Sequence, residues 1–363
     1  LYALVNRLTR RISGRLAIAT VLANAVFAFV TGVSIAAAAA FSRIAYPEMK
    51  KNGYDRRFAL GCIAGSACLG MLIPPSVLMI VWGVLTEQAI GNLFIAGIIP
   101  GFIVVFFYCL YILWVAKVSP ETVGESPAQR AARAEAIARG EGEEQSLKAV
   151  FWSTMAVLAL VFGTLGGIWF GFFTPTEGAG VGAALALLLA LAKGMRAKEM
   201  LEVVLSVGRT SAPLLLLLFT AQLYSRTLSM TGITGAAKAF FLGSGLGQYE
   251  ILAIMVGVWF VLGCLIDSIS IILLTVPVFA PIAVALGFDP IAFAILGIIA
   301  IETGLLTPPF GMLVFTVRAA LPTEATVGEI FRASAPYWVC LLATIVCIAA
   351  YPQLATWLPQ VGR

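Results

Sequence analysis

The sequence predicts an all-α polytopic membrane protein built from inverted repeats, with two re-entrant hairpins and two broken helices. Three observations carry that prediction. First, 61% of the 363 residues are hydrophobic and 11% are charged, whereas a soluble domain carries about 25% charged residues. Several windows reach the roughly 20 apolar residues that cross a bilayer core. Second, the chain matches itself at an offset of 234 residues. Ser34 falls on Ser268, Pro47 on Pro281, Gly53 on Gly287, Asp55 on Asp289, Gly70 on Gly304, and Pro74-Pro75 on Pro308-Pro309. Third, these residues lie in or beside apolar stretches. Apolar repeats interrupted at corresponding Gly and Pro positions point to a binding site near the bilayer midplane.

The first repeat occupies residues 1–116. Residues 1–15 are basic (Arg7, Arg10, Arg11, Arg15), a 27-residue apolar stretch covers 16–42, and a second basic loop runs from Arg43 to Arg57. Basic loops at both ends place both ends on the cytoplasmic side. A single span cannot do that, and two spans need about 40 residues. The stretch 16–42 is therefore expected to be a re-entrant hairpin with its tip near Thr31-Gly32-Val33-Ser34. Non-helical backbone at that depth is tolerated only inside protein or along a cavity. A broken span at 57–84, a short loop Thr86–Asn92 and a return span at 93–116 complete the repeat.

Residues 117–148 carry Lys117, Arg130, Arg133, Arg139 and Lys148 among several glutamates. They form a cytoplasmic connector, as a short amphipathic helix or as a solvated segment. Scaffold spans fill 149–228, at 149–170, 174–192 and 203–228, and leave the basic turn Lys193–Lys198 in the cytoplasm. Three spans is an odd number, so the second repeat, 229–363, starts from the opposite face. Its hairpin at 250–278 is flanked by Gly243–Glu250 and Ala285–Pro290, which contain no Lys or Arg. That charge asymmetry is what inversion requires. A broken span at 291–317 returns to Arg318, and a last span covers 330–351. Three spans precede the second hairpin, none precedes the first, and the first residue is Leu1. The repeat thus leads us to expect an N-terminal truncation of several dozen residues.

Composition excludes several classes. The chain contains no histidine, which removes imidazole acid–base chemistry, imidazole metal sites and Ser-His or Cys-His nucleophile pairs. The six cysteines (Cys62, Cys68, Cys109, Cys264, Cys340, Cys347) lie in apolar segments without metal-type spacing and behave there as small hydrophobes. The net charge of +5 sorts by side of the membrane, which is topology information and no nucleic-acid footprint.

The chemistry concentrates at the breaks. Thr31-Gly32-Val33-Ser34 is matched by Asp267-Ser268-Ile269-Ser270, and such hydroxyls, carbonyls and a carboxylate suit a hard cation such as sodium. A lone Ser or Thr more often bonds a carbonyl one turn back; a matched pair at both hairpin tips favours the functional alternative. Gly70–Ser76 is matched by Gly304–Pro309. Consecutive prolines remove two donors and push the preceding residue out of helical geometry. Carbonyls are thereby freed for a cation, while the next half-helix presents its positive end to an anion. Asp267 and Glu302 lie deep in the second repeat, where carboxylates are functional candidates by default; sodium binding, proton relay and helix capping all remain open for them. Glu177 follows Thr174-Pro175-Thr176 as a helix cap does; Arg318 could meet an anionic substrate, but its place just past a span favours a snorkelling anchor.

At these residues the chain resembles the large membrane subunit of tripartite ATP-independent periplasmic (TRAP) transporters, of the dicarboxylate and sialic-acid permease type. The matching stretches are Gly70–Ser76 (GMLIPPS), Asn92–Gly101 (NLFIAGIIPG), Phe173–Glu177 (FTPTE), Asp267–Pro277 (DSISIILLTVP) and Glu302–Gly311 (ETGLLTPPFG). The likeness runs from about Gly14 to Pro352. It implies a multi-pass importer of the bacterial inner membrane, driven by sodium and working as an elevator. A periplasmic substrate-binding protein would deliver a small organic acid, and a small four-span membrane subunit would brace the scaffold. No organic cofactor and no nucleic acid are implied. The family's first tip usually reads close to Ser-Gly-Ser-Ser, where this chain has Thr31-Gly32-Val33-Ser34.

Sodium is then expected at Thr31, Gly32, Ser34, Gly70, Ile73, Asp267, Ser268, Gly304 and Thr307. Substrate is expected at Ser34, Pro74, Pro75, Ser76, Ser268, Ser270, Pro308 and Pro309. A single-component sodium/dicarboxylate symporter is the nearest alternative. A channel would want a ring of like charges, and an intramembrane enzyme would want an acid pair or a histidine; the sequence offers neither.

Overall fold

The computed structural model describes residues 12–125, 155 and 159–361. Every regular element among them is a helix, and a single bridge pairs Tyr54 with Val123. In the first repeat, α1 (Arg15–Thr31) and α2 (Ser34–Lys51) form a hairpin. An interrupted helix follows as α3 (Arg56–Ala67), α4 (Leu69–Leu72) and α5 (Val77–Thr86), and α6 (Ile90–Val118) closes the unit. Between the repeats lie α7 (Ala159–Trp169), α8 (Pro175–Ala192), α9 (Ala197–Met230) and α10 (Ile233–Gly243). The second repeat has the hairpin α11 (Gln248–Gly263) and α12 (Ser268–Ala285), the interrupted helix α13 (Pro290–Gly304) and α14 (Met312–Ala320), then α15 (Val327–Ala350) and α16 (Gln353–Val361). Among the described residues, six helical segments are long and apolar enough to cross a membrane.

The 234-residue offset is visible in the helix boundaries. The helices α2 and α12 both have 18 residues and open on Ser34 and Ser268. Both interrupted helices start behind an aspartate cap. Asp55 accepts from the Phe58 amide at 2.9 Å, and Asp289 accepts from the amides of Ile291 and Ala292 at 2.8 and 3.0 Å. Each cap supplies an acceptor to N–H groups that have no partner within the helix.

The two interrupted helices run antiparallel, as contacts at both ends show. At one end Arg56, which opens α3, pairs at 2.6 Å with Glu329 in the first turn of α15, the helix that follows α14. At the other, Trp82 of α5 packs edge-on against Phe293 of α13 with ring centroids 6.0 Å apart. Trp259 joins that cluster at 5.8 Å from Trp82 and 5.2 Å from Phe293.

The structure differs from the sequence expectation at α2 and α10, at α12, which runs to Ala285 and not 278, and at α16, which follows the last expected span. The apolar stretch was expected to end at residue 42, yet α2 continues to Lys51. Ala45, Tyr46 and Met49 stay buried there while Arg43, Ile44 and Lys50 face out, so the helix turns amphipathic instead of stopping. The separate helix α10 was not foreseen; Gly232, at φ 77°, ends α9 and re-aims the chain into it. The amphipathic helix considered for the connector falls on residues 126–148, outside the described residues, as do Arg7, Arg10 and Arg11.

Candidate functional site

Each hairpin tip seats on the break of its own repeat. In the first, the Val77 amide donates to the Gly32 carbonyl at 3.4 Å; in the second, the Phe310 amide donates to the Cys264 carbonyl at 3.0 Å. The matched glycines make this approach possible. A Cβ at Gly70 would lie 2.9 Å from the Ser34 N and Cα, and one at Gly304 would lie 2.5 Å from the Gly263 Cα. Gly32 is constrained twice. Its φ of 61° is left-handed, which favours glycine, and a Cβ would lie 2.4 Å from the Pro75 carbonyl oxygen.

The breaks meet at one carboxylate. Ser34 Oγ donates to Glu302 Oε2 at 2.6 Å, and Ser268 Oγ donates to Glu302 Oε1 at 3.3 Å. Glu302 is only 1% exposed, so these hydroxyls replace water as its hydrogen-bond donors. Cys68 Sγ lies 3.6 Å from the Glu302 carbonyl oxygen.

The other sequence-derived candidates divide by what their polar atoms already do. Thr31 Oγ1 donates to the Phe27 carbonyl at 3.1 Å, one turn back. Ser76 caps α5 by accepting from the Met79 amide at 3.4 Å, and its hydroxyl donates to the Met71 carbonyl. Asp267 caps α12, accepting from the Ser270 amide at 3.0 Å and from the Ser270 hydroxyl. Thr307 Oγ1 donates to the Gly304 carbonyl at 2.8 Å and touches Cys264 Sγ. The Ile73 amide continues the helix to the Leu69 carbonyl at 3.0 Å, and its side chain is buried. Pro74 is buried and Pro75 half-buried, while Pro308 and Pro309 are exposed. Ser34 and Ser268 are thus brought together, whereas Asp267 and Ser270 form a separate pair.

Sequence reasoning missed Cys68 at this centre and, apart from it, the buried polar pair Asn24 and Ser66. Cys68 was read only as a small hydrophobe. Asn24, fully buried on α1, donates to Ser66 Oγ of α3 at 2.6 Å. An asparagine inside an apolar run was the available signal. Glu177 behaves as the sequence indicates, forming a reciprocal cap with Thr174 at 2.7 and 3.3 Å. Arg318 donates to the Leu321 carbonyl at 3.4 Å, at the end of α14. Among the described residues no three His, Cys, Asp or Glu side chains converge.

Two hairpins seated on two interrupted antiparallel helices, in an apolar all-helical chain, define a membrane transport protein. Residues 1–354 match the family described as the tripartite ATP-independent periplasmic transporter, DctM component, and the chain belongs to that family. It is 33% identical to the C4-dicarboxylate TRAP transporter large permease protein DctM of Pseudomonas aeruginosa, over 98% of this chain and 80% of that one. Identity is 29% to an ectoine/5-hydroxyectoine TRAP large permease of Ruegeria pomeroyi, over 96% and 78% of the two chains. It is 27% to the sialic acid TRAP large permease SiaM of Vibrio cholerae, over 97% and 79%. The protein is a multi-pass permease subunit of the inner membrane and not an enzyme.

Proposed function

We propose that this chain carries a small organic acid across the inner membrane, coupled to sodium, after a periplasmic binding protein delivers it. A small four-span membrane subunit stands beside it as scaffold. The observation that supports this most is the seating of each hairpin tip on its own interrupted helix, joined at Ser34, Ser268 and Glu302. Sodium takes the hydroxyls and carbonyls of Thr31, Gly32 and Ser34 with Gly70 and Ile73, and of Ser268 with Gly304 and Thr307. Asp267 serves as the cap of α12. Substrate lies along Ser34, Ser268 and Ser270 and against Pro74, Pro75, Ser76, Pro308 and Pro309, where α5 and α14 present their N-termini to an anion.

Helix length supports re-entrance: 17 residues in α1 and 16 in α11 reach about 26 and 24 Å, short of the ~30 Å hydrocarbon core. The hairpins and interrupted helices move as one body against the remaining helices, in the elevator manner. The test is uptake into proteoliposomes holding this subunit and its small partner under an inward sodium gradient. The binding protein is present or absent, and a C4-dicarboxylate, a sialic acid and ectoine are compared. Uptake of an organic acid that needs both sodium and binding protein is expected. Uptake with sodium alone would make it a single-component symporter, and equilibration without a gradient would make it a channel.

A further inference from the structure

The carboxylate of Glu302 receives one hydrogen bond from each repeat. Ser34 opens the second arm of the first hairpin, and Ser268 opens the second arm of the other. They bind different oxygens of the same side chain, at 2.6 and 3.3 Å. A buried carboxylate needs donors, but nothing requires them to come from two hairpins 234 residues apart in sequence. None of the ion pairs among the described residues reaches Glu302. Ser34 is also held against its own repeat by close approach to Gly70, and the first arm of the second hairpin is held by close approach of Gly263 to Gly304. Displacement of either tip is therefore transmitted to the carboxylate.

We propose that Glu302 is a positioning residue that couples the two hairpin tips, so that what happens at one is felt at the other. A cation drawn to the Ser34 oxygen fixes that hydroxyl with its proton on Oε2. This orients the carboxylate plane, and with it the hydroxyl of Ser268. The second ion meets a tip already ordered and binds more tightly, a coupling that is reciprocal by thermodynamic necessity. The sodium part of this rests on the function proposed above; the mechanical tie does not.

The test is a double-mutant cycle of Ser34→Ala and Ser268→Ala, in the full permease complex, with Glu302 intact and again with Glu302→Gln. Glutamine keeps the length and volume but carries no charge and offers one acceptor oxygen and one donor NH2, so one of the two serine hydroxyls must turn from donor to acceptor. Two readouts are taken, the thermal midpoint in detergent and the sodium half-saturation of uptake. Each serine substitution is expected to raise half-saturation about tenfold, the size of a hydrogen bond to a charged group. The double substitution is expected to fall well short of the product, and the shortfall to shrink with Glu302→Gln, which loses the charge that both hydroxyls donate to. Additive effects with Glu302 intact, as for independent sites, would overturn the proposal. Sodium-independent uptake by the unaltered protein would overturn the proposed function alone and leave the thermal cycle to decide the tie.

Discussion

Cys68 and Glu302 hold the same position in the two repeats and touch each other, the Cys68 sulfur 3.6 Å from the Glu302 carbonyl oxygen. The arrangement is therefore symmetric in backbone and asymmetric in charge, with one carboxylate where two would fit the repeat. A second carboxylate buried beside Glu302 would face its backbone carbonyl and a like charge in a medium that already disfavours one carboxylate. Cys68→Ala is expected to change stability by less than about 1 kcal/mol, since it removes only a weak S–H donor. Cys68→Asp is expected to cost about 3–5 kcal/mol, as uncompensated buried charges do. Thermal melts of both variants decide the matter, and a well-folded Cys68→Asp protein would refute the asymmetry argument.

Gly70→Ala and Gly304→Ala should each force backbone apart, because the new Cβ would lie 2.9 Å from Ser34 and 2.5 Å from Gly263. A loss of about 1–3 kcal/mol is expected for such overpacking, with uptake lost alongside. Gly257→Ala, in the same second hairpin but with nothing near its Cβ, should instead gain about 0.5–1 kcal/mol from helix propensity. Equal effects at all three positions would show that the tips do not seat tightly.

The legible part of this site was the part that repeats. Ser34 with Ser268, Gly70 with Gly304 and the two Pro-Pro pairs declared themselves by offset alone. Those same residues form the tips and breaks. Glu302 was visible as an intramembrane carboxylate, but its role was not, because comparison of repeats discards whatever is unmatched and its counterpart is Cys68. Its hydrogen bond to Ser34 joins residues 268 apart in sequence, a relation that only the packed fold establishes. The extension of α2 to Lys51 escaped for a different reason. A basic residue ends an apolar run, yet an amphipathic helix continues through it when every fourth side chain still finds the core.

Asp267 offers a clean separation of cap from ligand. Its oxygens accept from the amide and hydroxyl of Ser270, and asparagine caps about as well as aspartate. Asp267→Asn is expected to leave both stability and the sodium half-saturation of uptake within about twofold. Asp267→Ala should cost about 1 kcal/mol. A tenfold or larger sodium shift in Asp267→Asn would make the carboxylate an ion ligand.

Stability should depend on pH through Glu324, which joins the end of α2 to the turn after α14. Hydrogen bonds from Lys50 at 2.8 Å and from Tyr46 at 2.7 Å hold its carboxyl below the ordinary glutamate value. A depressed carboxylate stabilises the fold above its unfolded value of about 4.3. That contribution is lost as pH falls through the lower folded value. The thermal midpoints of the unaltered protein and Glu324→Gln should therefore differ at neutral pH and converge in acid. They should also draw together in 1 M salt, which screens exposed pairs. A gap that widens on acidification would contradict the assignment.

The two tryptophans of the aromatic cluster separate packing from hydrogen bonding. Both are fully buried and 5.8 Å apart. Trp259 donates its indole N–H to Thr275 Oγ1 at 2.8 Å, whereas the Trp82 N–H has no hydrogen-bond partner among the described residues. Replacing either by phenylalanine opens a similar void, so the packing loss is common to both. Trp259→Phe also takes a donor from the Thr275 hydroxyl, while Trp82→Phe removes a buried donor that was already unsatisfied. Trp259→Phe is therefore expected to be the more damaging by about 1 kcal/mol, the net value of one hydrogen bond. The difference between the two melts is the informative quantity, since the shared void cancels from it. Should Trp82→Phe prove equally or more damaging, its indole N–H must have a partner in the assembled transporter.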